Sequence, residues 1–394
     1  MLYSVRSSVV LLALVATLAM SPVAPEAGNV IFLALGGLSI SLMFQRAGEQ
    51  LRRPIVWMPL LGLGLIAISY AIGAKSFEGL VGLAFFSPLF AIWPLLTAAE
   101  DMKSDDSSVL IAILALAGVA GAAVVAVMEV VATGTVRAGE GVANPIHFAD
   151  VALLVGFLAC AGLVGKVTLW RFLFLLGPVL AIVAVVLSGT RGAVVAIAGM
   201  LAVAAIGLVV LRLVSVKQAL FALAALVVGG AVALFLGASQ LSGIQRVLID
   251  MVDVFQHGVP TDESTAIRLQ MISGGIKAFV QAPIFGHGPL AFVNLANELS
   301  ELPFGNWPHL HNDLADFAAS AGILGLVAYA FFLLAPIVEV VRSAKTEARP
   351  RILVLVSTLV AGFFIMGLTN AMFGILTVTV SYAVICVVTG ILVA

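Results

Sequence analysis

Residues 307–316 read WPHLHNDLAD and place two histidines, an asparagine and two aspartates at the start of a long apolar run. Pro308 favours a helix that begins just after it, and the positive end of a helix lowers the pKa of a nearby imidazole. A neutral imidazole can take a proton from a hydroxyl group, so His311 is a candidate general base. Two alternatives stay open. His311 is hydrogen-bonded and inert, or His309 and His311 form a metal-binding HxH pair, although no third ligand is evident nearby in the sequence.

Two further polar residues follow within five residues of His311. Asn312 and Asp316 are four residues apart, which places both on the same face of a helix. Asn312 and His309 are therefore candidate supporting residues beside His311. We expect Asp316 to satisfy a polar group on a neighbouring helix.

A second polar stretch, LSGTRGAV, predicts a tight turn between two apolar runs. Gly189 and Gly192 let the backbone approach a ligand closely, and Ser188 and Thr190 offer hydroxyl groups. The helix that starts here adds free N–H groups and a positive dipole end, so the turn with Arg191 suits an anion. The alternative is a plain turn whose arginine extends to lipid head groups.

Two more arginines, Arg246 and Arg268, lie in the long segment between residues 237 and 310. A guanidinium group matches phosphate oxygens in a bidentate manner, so Arg191, Arg246 and Arg268 together suggest recognition of a phosphate-rich group. The alternative for each arginine alone is contact with water or lipid phosphate. His287, in the turn FGHGP, is a minor candidate.

The composition sets the class of protein that must position these residues. The chain has 394 residues, of which 62% are hydrophobic and 10% charged, with a mean hydropathy of +1.21. Apolar runs of about 20 residues, the length that crosses a bilayer as a helix, recur along it. We predict an all-α, polytopic inner-membrane protein with about 12 transmembrane helices. Their expected bounds are 8–22, 29–45, 54–73, 78–98, 107–132, 146–164, 168–187, 191–212, 217–237, 311–341, 351–368 and 371–393.

The predicted spans divide the chain into three parts of one integrated membrane domain. Residues 1–237 hold transmembrane helices 1–9, residues 238–310 form a periplasmic loop, and residues 311–394 hold helices 10–12. The loop is expected to contain two amphipathic helices, at about 240–256 and 264–281. The second opens at TDEST, where Asp262, Ser264 or Thr265 can cap free N–H groups.

The distribution of basic residues predicts the orientation. With a cytoplasmic N-terminus, thirteen of the 19 Lys and Arg residues fall in cytoplasmic segments, as the positive-inside rule requires. Both termini are then cytoplasmic, and the candidate site faces the periplasm. Counted along a continuous helix from Arg342, His311 lies about 46 Å away, beyond the roughly 30 Å hydrocarbon core.

Other polar residues carry weaker signals. Ionisable groups inside a membrane are expensive and usually functional, which singles out Glu129, His147 and Asp150. Cys160 and Cys386 lie in apolar runs, so no disulfide framework is expected. A net charge of −1 without a basic tail argues against nucleic-acid binding.

The motifs together resemble those of a known family. SGTRGAVVAI, RLQMISGGIKAFVQAPIFGHGP and HNDLADFAASAGILGLVAYAFFLL, in this order among about twelve spans, resemble the O-antigen ligase family of bacterial inner-membrane glycosyltransferases. The resemblance covers about residues 190–335, and the rest of the chain shares only the hydropathy pattern.

The resemblance implies transfer of a glycan from undecaprenyl diphosphate to a sugar hydroxyl of lipid A–core, with inversion and without a metal or cofactor. By motif, His311 and Arg191 would be catalytic, and Arg191, Arg268 and, more loosely, Arg246 would bind the diphosphate. Ser188 and Thr190 would support the site, and membrane lipids would surround the enzyme.

Three activities remain compatible with the sequence. The same superfamily includes O-antigen polymerases and protein O-oligosaccharyltransferases, which these motifs do not separate from ligases. A secondary transporter would instead place its unusual charges near the bilayer midplane on broken helices, whereas here they gather at one face.

Overall fold

The structure is a computed structural model, and it describes residues 5–44, 47–74, 77–100, 102, 104–135, 137–166, 168–220, 249, 252 and 262–394. This part of the chain is helical and contains no β-strand. The all-α class predicted from the sequence is therefore confirmed.

Thirteen α-helices of eight or more residues carry the described architecture, and they are numbered here in chain order. They are α1 Val5–Val15, α2 Pro25–Leu38, α3 Pro54–Gly73, α4 Ser87–Ala98, α5 Ser104–Thr133, α6 Pro145–Leu158, α7 Leu176–Ser188, α8 Arg191–Val210, α9 Glu263–Gln281, α10 Phe292–Leu299, α11 Asp313–Arg342, α12 Arg349–Gly367 and α13 Leu376–Leu392. Short helical segments extend several of them: Ala16–Met20 follows α1, Phe77–Phe86 precedes α4, Ala159–Leu163 follows α6, and Leu169–Leu175 precedes α7.

Eight helical stretches among the described residues are long and apolar enough to cross a membrane. They are Pro54–Gly73, Phe77–Ala98, Ser107–Thr133, Pro145–Leu163, Leu169–Ser188, Arg191–Val210, Asp313–Arg342 and Arg349–Gly367. The expected spans at 8–22, 29–45 and 371–393 correspond to shorter helices. Of the expected span at 217–237, residues 221–237 lie outside the described residues. The count of twelve therefore stays a prediction.

The long helices are apolar around most of their circumference, as in a protein surrounded by lipid. In α8 only 17% of the apolar window is buried inside the protein, and Val195, Ile206 and Val210 are exposed. Lipid contact, rather than burial in protein, accounts for the hydrophobicity of such a helix.

The core is organised around α11 and the helices that pack on it. Gly62 of α3 leaves room for the ring of Phe332, so α3 and α11 approach closely. Beside this contact the ring of Phe363 lies 4.5 Å from Tyr382 and 4.7 Å from Phe373, centroid to centroid. These tilted aromatic contacts join α12 to α13, and the Tyr382 hydroxyl ties both to α11 by donating to Phe332 O at 2.7 Å.

The helix α11 is broken at Gly322, which the sequence analysis did not anticipate. Gly322 has φ 66° and ψ −152°, a conformation that essentially only glycine adopts. The GHG turn docks at the break: His287 N donates to Ala319 O at 3.0 Å, and Gly288 N donates to Ser320 O at 2.9 Å. Backbone groups freed in a membrane protein must be paired internally, and this turn pairs them. The continuous helix assumed in placing His311 was therefore wrong, and the distance along it is an upper bound.

The two ends of the helices differ in chemistry. At one end Arg53 forms a 2.6 Å ion pair with Glu339 near the end of α11, and Arg351 donates to Gly165 O at 2.9 Å. The other termini of α6, α8, α11 and α12 come together around the candidate site. The sequence had assigned these two groups of residues to opposite sides of the membrane.

Candidate active site

The turn between α7 and α8 positions Arg191. Gly189 has φ 64° and ends α7 in the left-handed conformation, so α8 can start two residues later. Ser188 Oγ donates to Val185 O at 2.7 Å, and Thr190 Oγ1 donates to Pro145 O at 3.2 Å. The hydroxyl hydrogens of Ser188 and Thr190 are thus used to fold the turn. Each hydroxyl keeps acceptor capacity only, so neither is free to donate to an anion.

Arg191 is joined to the start of α9. Its Nη2 donates to Asp262 Oδ2 at 2.8 Å, and its Nη1 donates to Thr265 Oγ1 at 3.1 Å. Asp262 also caps α9 by accepting from Thr265 N at 2.9 Å, the cap that the sequence predicted. Burial alone would raise the pKa of Asp262, but the hydrogen bonds from Arg191 and Thr265 outweigh it and hold that pKa below its ordinary value. Asp262 is therefore a carboxylate at neutral pH, and it fixes the direction of Arg191.

A cavity of about 190 Å³ opens beside this ion pair. Its lining residues are Arg137, Ile146, Asp150, Gly189, Thr190, Arg191, Gly192, Asp262, Ser264, Arg268, Thr369 and Asn370. Three guanidinium groups from three separate parts of the chain therefore share one polar cavity: the loop after α5, the start of α8 and helix α9. Burial lowers the pKa of Arg268, and the nearby charges of Arg191 and Arg137 lower it further, which is the mark of like charges held close together.

The loop after α5 brings Arg137 to the cavity. Glu129, in the last turns of α5, accepts from Gly139 N at 2.6 Å and from Gly141 N at 3.1 Å. Ala138 N donates to Leu187 O at 2.9 Å, which fastens the same loop to the end of α7. The Nε of Arg137 is buried and has no hydrogen-bond partner among the described residues. A buried N–H group normally donates to an acceptor, so an acceptor group in the cavity would pair with Arg137 Nε.

The backbone around His311 is held in an unusual conformation. His311 has φ 52°, a sparsely populated region for a residue with a side chain, and such strain persists only where neighbours impose it. Asp316 Oδ1 accepts from Leu310 N at 2.8 Å, and Asn312 Oδ1 caps α11 by accepting from Ala315 N at 2.9 Å. Asp316 therefore braces its own chain just before His311, whereas the sequence analysis expected it to serve a neighbouring helix.

The surroundings of His311 keep its imidazole neutral. Burial, followed by the charge of Arg268, lowers the pKa of His311 to about 4, against an ordinary value of 6.5. Burial and the neighbouring His311 lower the pKa of His309 to about 3. The two rings lie 4.2 Å apart and the Trp307 ring lies 5.4 Å from His311, centroid to centroid. The sequence predicted a neutral His311 from the helix start, but burial and a buried arginine are the causes found.

Comparison with known protein families identifies the middle of the chain. Residues 176–330 match the family model described as O-antigen ligase. This segment is similar to the O-antigen ligase family. The family consists of glycosyltransferase-like membrane enzymes whose substrates are a lipid-linked glycan and a lipid acceptor. No curated protein sequence matches the chain.

The matched segment supplies one part of the site, and other parts of the chain supply the rest. Arg191, Arg268 and His311 lie inside the matched segment. Arg137 and Asn370 lie outside it, although both line the same cavity as Arg191 and Arg268. The candidate site is therefore completed by the loop after α5 and the connection after α12.

Most of the residues predicted from the sequence are found around this site. The structure brings Arg191, Arg268 and Thr190 to the cavity, and His311 stands next to it within the electrostatic influence of Arg268. Arg246 and all of the expected helix at 240–256 except residues 249 and 252 lie outside the described residues. His287 is a structural residue, since its Nε2 forms a 2.8 Å hydrogen bond with Ala278 O.

Sequence analysis missed several residues of the cavity, among them Arg137 and Asn370. Arg137 entered it only through the count of basic residues outside the cytoplasmic segments, and Asn370 was not singled out. The signal for Arg137 was a basic residue at the outer end of a span, next to an intramembrane glutamate. Within the described part of the chain, no cluster of three or more His, Cys, Asp or Glu residues could hold a metal ion.

Proposed function

We propose that the protein is an O-antigen ligase. It transfers a glycan from undecaprenyl diphosphate to a sugar hydroxyl of lipid A–core in lipopolysaccharide biosynthesis. The reaction inverts the configuration at the anomeric carbon and uses no metal. The observation that carries the proposal is a neutral histidine held beside a cavity in which three arginines meet.

The arginines suit the leaving group. A lipid diphosphate departs with its bonding electrons, so the site must stabilise negative charge on phosphate oxygens rather than donate a proton. Guanidinium groups bind such oxygens through paired N–H groups. Arg137, Arg191 and Arg268 come from three separate parts of the chain and line the same cavity. No described carboxylate forms a salt bridge with Arg137 or Arg268, although the charges of Asp262 and Asp150 act on Arg268.

The histidine suits the acceptor. In the proposed step, the acceptor hydroxyl attacks the anomeric carbon as its proton passes to a nitrogen of His311. The bond from that carbon to the diphosphate oxygen breaks, and undecaprenyl diphosphate leaves from the opposite face of the sugar. A positioned general base contributes typically about 10²- to 10⁴-fold, and His311 has the proton-accepting form over the whole neutral range.

The grouping of helix ends supports the proposed location in a bacterial inner membrane. The cavity gathers residues that the basic-residue distribution assigns to the periplasmic side, while Arg53 and Arg351 pair at the other end of the helices. By the positive-inside rule the second end is cytoplasmic, together with both termini. The lipid-linked donor and the lipid acceptor then reach the site from the outer leaflet.

The direct test is complementation of a strain from which this gene is deleted. Lipopolysaccharide is separated on gels after expression of the wild type, Arg191→Ala, Arg268→Ala or His311→Ala at matched membrane levels. Arg342→Ala is the control, because Arg342 is exposed at the opposite end of α11. We expect the wild type and the control to restore the full ladder, and the three site variants to leave bare core with accumulated lipid-linked polymer.

Other outcomes would identify a different activity. Core carrying a single repeat in the deletion strain would indicate a polymerase. Loss of a glycosylated protein with normal lipopolysaccharide would indicate a protein O-oligosaccharyltransferase. An unchanged ladder in every strain would refute both lipopolysaccharide activities.

A further inference from the structure

Two buried polar atoms near the cavity have no hydrogen-bond partner in the described part of the chain. His311 Nδ1 and Asn370 Oδ1 are both buried, and neither has a hydrogen-bond partner among the described residues. The Asn370 side chain nevertheless lies close enough to act on the imidazole as a hydrogen-bonding group. A hydrogen bond between these two atoms would satisfy both, and buried polar groups are almost always paired.

Asp150 determines which end of the Asn370 amide faces the histidine. Asn370 Nδ2 donates to Asp150 Oδ2 at 3.1 Å, and both side chains are almost completely buried. The amide N–H group of Asn370 faces Asp150 in this contact, which leaves the amide oxygen as the end that is available to His311. An oxygen can pair with the imidazole only if Nδ1 carries the hydrogen, which leaves the lone pair on Nε2.

We propose that Asn370 and Asp150 are positioning residues for His311. Asn370 Oδ1 accepts a hydrogen bond from Nδ1–H of His311, Asp150 orients the Asn370 amide, and Nε2 of His311 is the nitrogen that takes the acceptor proton. The inference deepens the proposed function and rests on it for the role of Nε2. The contact between Asn370 and Asp150 and the two unpaired atoms do not depend on that function.

The backbone around Asn370 is fastened to the backbone that carries His311. Asn312 Nδ2 donates to Leu368 O at 2.9 Å, just before Asn370. Asp313 Oδ1 accepts from Met372 N at 2.8 Å, just after it. The two residues that follow His311 thus hold the chain on both sides of Asn370, which fixes the separation of the amide from the imidazole.

The charged and titratable groups around the imidazole are known from the same contacts. Arg268 of α9 and His147 of α6 act on His311 electrostatically, and His309 lies beside it in the same chain. Asp150 reaches His311 only through Asn370. The pH dependence of an Asn370 variant is therefore interpreted in a protein in which these four groups, Arg268, His147, His309 and Asp150, are unchanged.

The first arm of the test measures catalysis by the full-length protein in lipid vesicles that contain donor and acceptor. We expect Asn370→Ala to lower kcat about 10- to 100-fold, within the contribution of a general base, and to leave KM for the donor nearly unchanged. Asp150→Asn keeps an acceptor oxygen for the Asn370 amide, so its loss should be smaller. Asn29→Ala is the matched control: Asn29 is equally buried, its Nδ2 donates to Thr377 Oγ1 at 2.7 Å, and it lies in α2 away from the cavity.

The second arm measures the tautomer of His311 without any activity. Nitrogen NMR of protein labelled with ¹⁵N-histidine, with the His311 signal assigned by its loss in His311→Gln, should show hydrogen on Nδ1 in the wild type. In Asn370→Ala the hydrogen should move toward Nε2, whereas Asn29→Ala should leave the signal unchanged.

The two arms separate the possible failures. The inference would be overturned if Nε2 of His311 carried the hydrogen in the wild type, or if the tautomer of His311 were the same in the wild type and in Asn370→Ala. The expected tautomer in a protein that shows no glycan transfer would leave the positioning contacts in place and refute the proposed function. A drop in activity for Asn370→Ala that Asn29→Ala matches would reflect a loss of folding and would also count against the inference.

Discussion

The lowered pKa of His311 predicts an unusual pH dependence. A general base must be unprotonated, and a histidine with a pKa of about 4 is about 97% neutral at pH 5.5. The same residue with its ordinary pKa of 6.5 would be only about 9% neutral there. Lowering the pH from 7.5 to 5.5 should therefore reduce the rate of transfer by only a few per cent, where an ordinary histidine would lose about tenfold.

The assay is the single-turnover rate in lipid vesicles between pH 4 and pH 8, with donor and acceptor saturating. The sign follows from the site, because burial and the charge of Arg268 both disfavour the protonated imidazole. Arg268→Gln removes the second of these causes, so its rate should begin to fall at a higher pH than the wild-type rate. A wild-type profile that falls with an apparent pKa near 6.5 would refute this account of the environment of His311. Equal profiles in the wild type and the variant would refute the part assigned to Arg268.

Four further predictions concern the parts that build the site. Arg137→Ala should raise KM for the donor about tenfold or more, since a hydrogen bond to a charged group contributes about 1.5–3 kcal/mol. Glu129→Gln should raise the same KM by a smaller factor, because its amide pairs less strongly with the backbone N–H groups that place Arg137; an effect larger than that of Arg137→Ala would contradict this order. Asp262→Ala removes a helix cap and the partner of Arg191, so it should lower the unfolding midpoint by the equivalent of about 1 kcal/mol or more. Gly322→Ala should destabilise the protein by at least about 1–3 kcal/mol in thermal unfolding, because the added Cβ meets the backbone of Ile284 at a φ of 66°.

The sequence predicted the residues whose chemistry is visible one motif at a time. Arg191 lies at a glycine-bounded turn, Arg268 lies in a polar stretch of an apolar chain, and His311 precedes a helix. Each of these signals is local, so a single sequence can carry it. The helical class was equally accessible, because apolar runs of span length leave few other folds.

Contacts between distant parts of the chain were not accessible. Asn370 forms a hydrogen bond with Asp150, which is 220 residues away in the sequence. Neither residue lies in a motif that predicts this contact. The break at Gly322 lies within an apolar run whose composition is that of an ordinary helix, and only the docked GHG turn explains it. The hydropathy pattern also does not separate a helix of 14 residues such as Pro25–Leu38 from a full span.

Arg268 connects the electrostatics of the diphosphate-binding arginines with that of His311. Arg268 adds positive charge to the cavity, which favours the diphosphate, and the same charge keeps His311 unprotonated. As the bond to the diphosphate breaks, negative charge grows on the leaving group, so the arginines interact more strongly with the transition state than with the bound donor. At the same moment His311 gains a proton and becomes a cation next to Arg268. The growing negative charge on the diphosphate offsets the repulsion between protonated His311 and Arg268. When the diphosphate leaves, the repulsion returns and favours release of the histidine proton to solvent. Under the proposed function, the position of Arg268 close to His311 would therefore stabilise the leaving diphosphate during transfer and return His311 to its neutral form for the next donor.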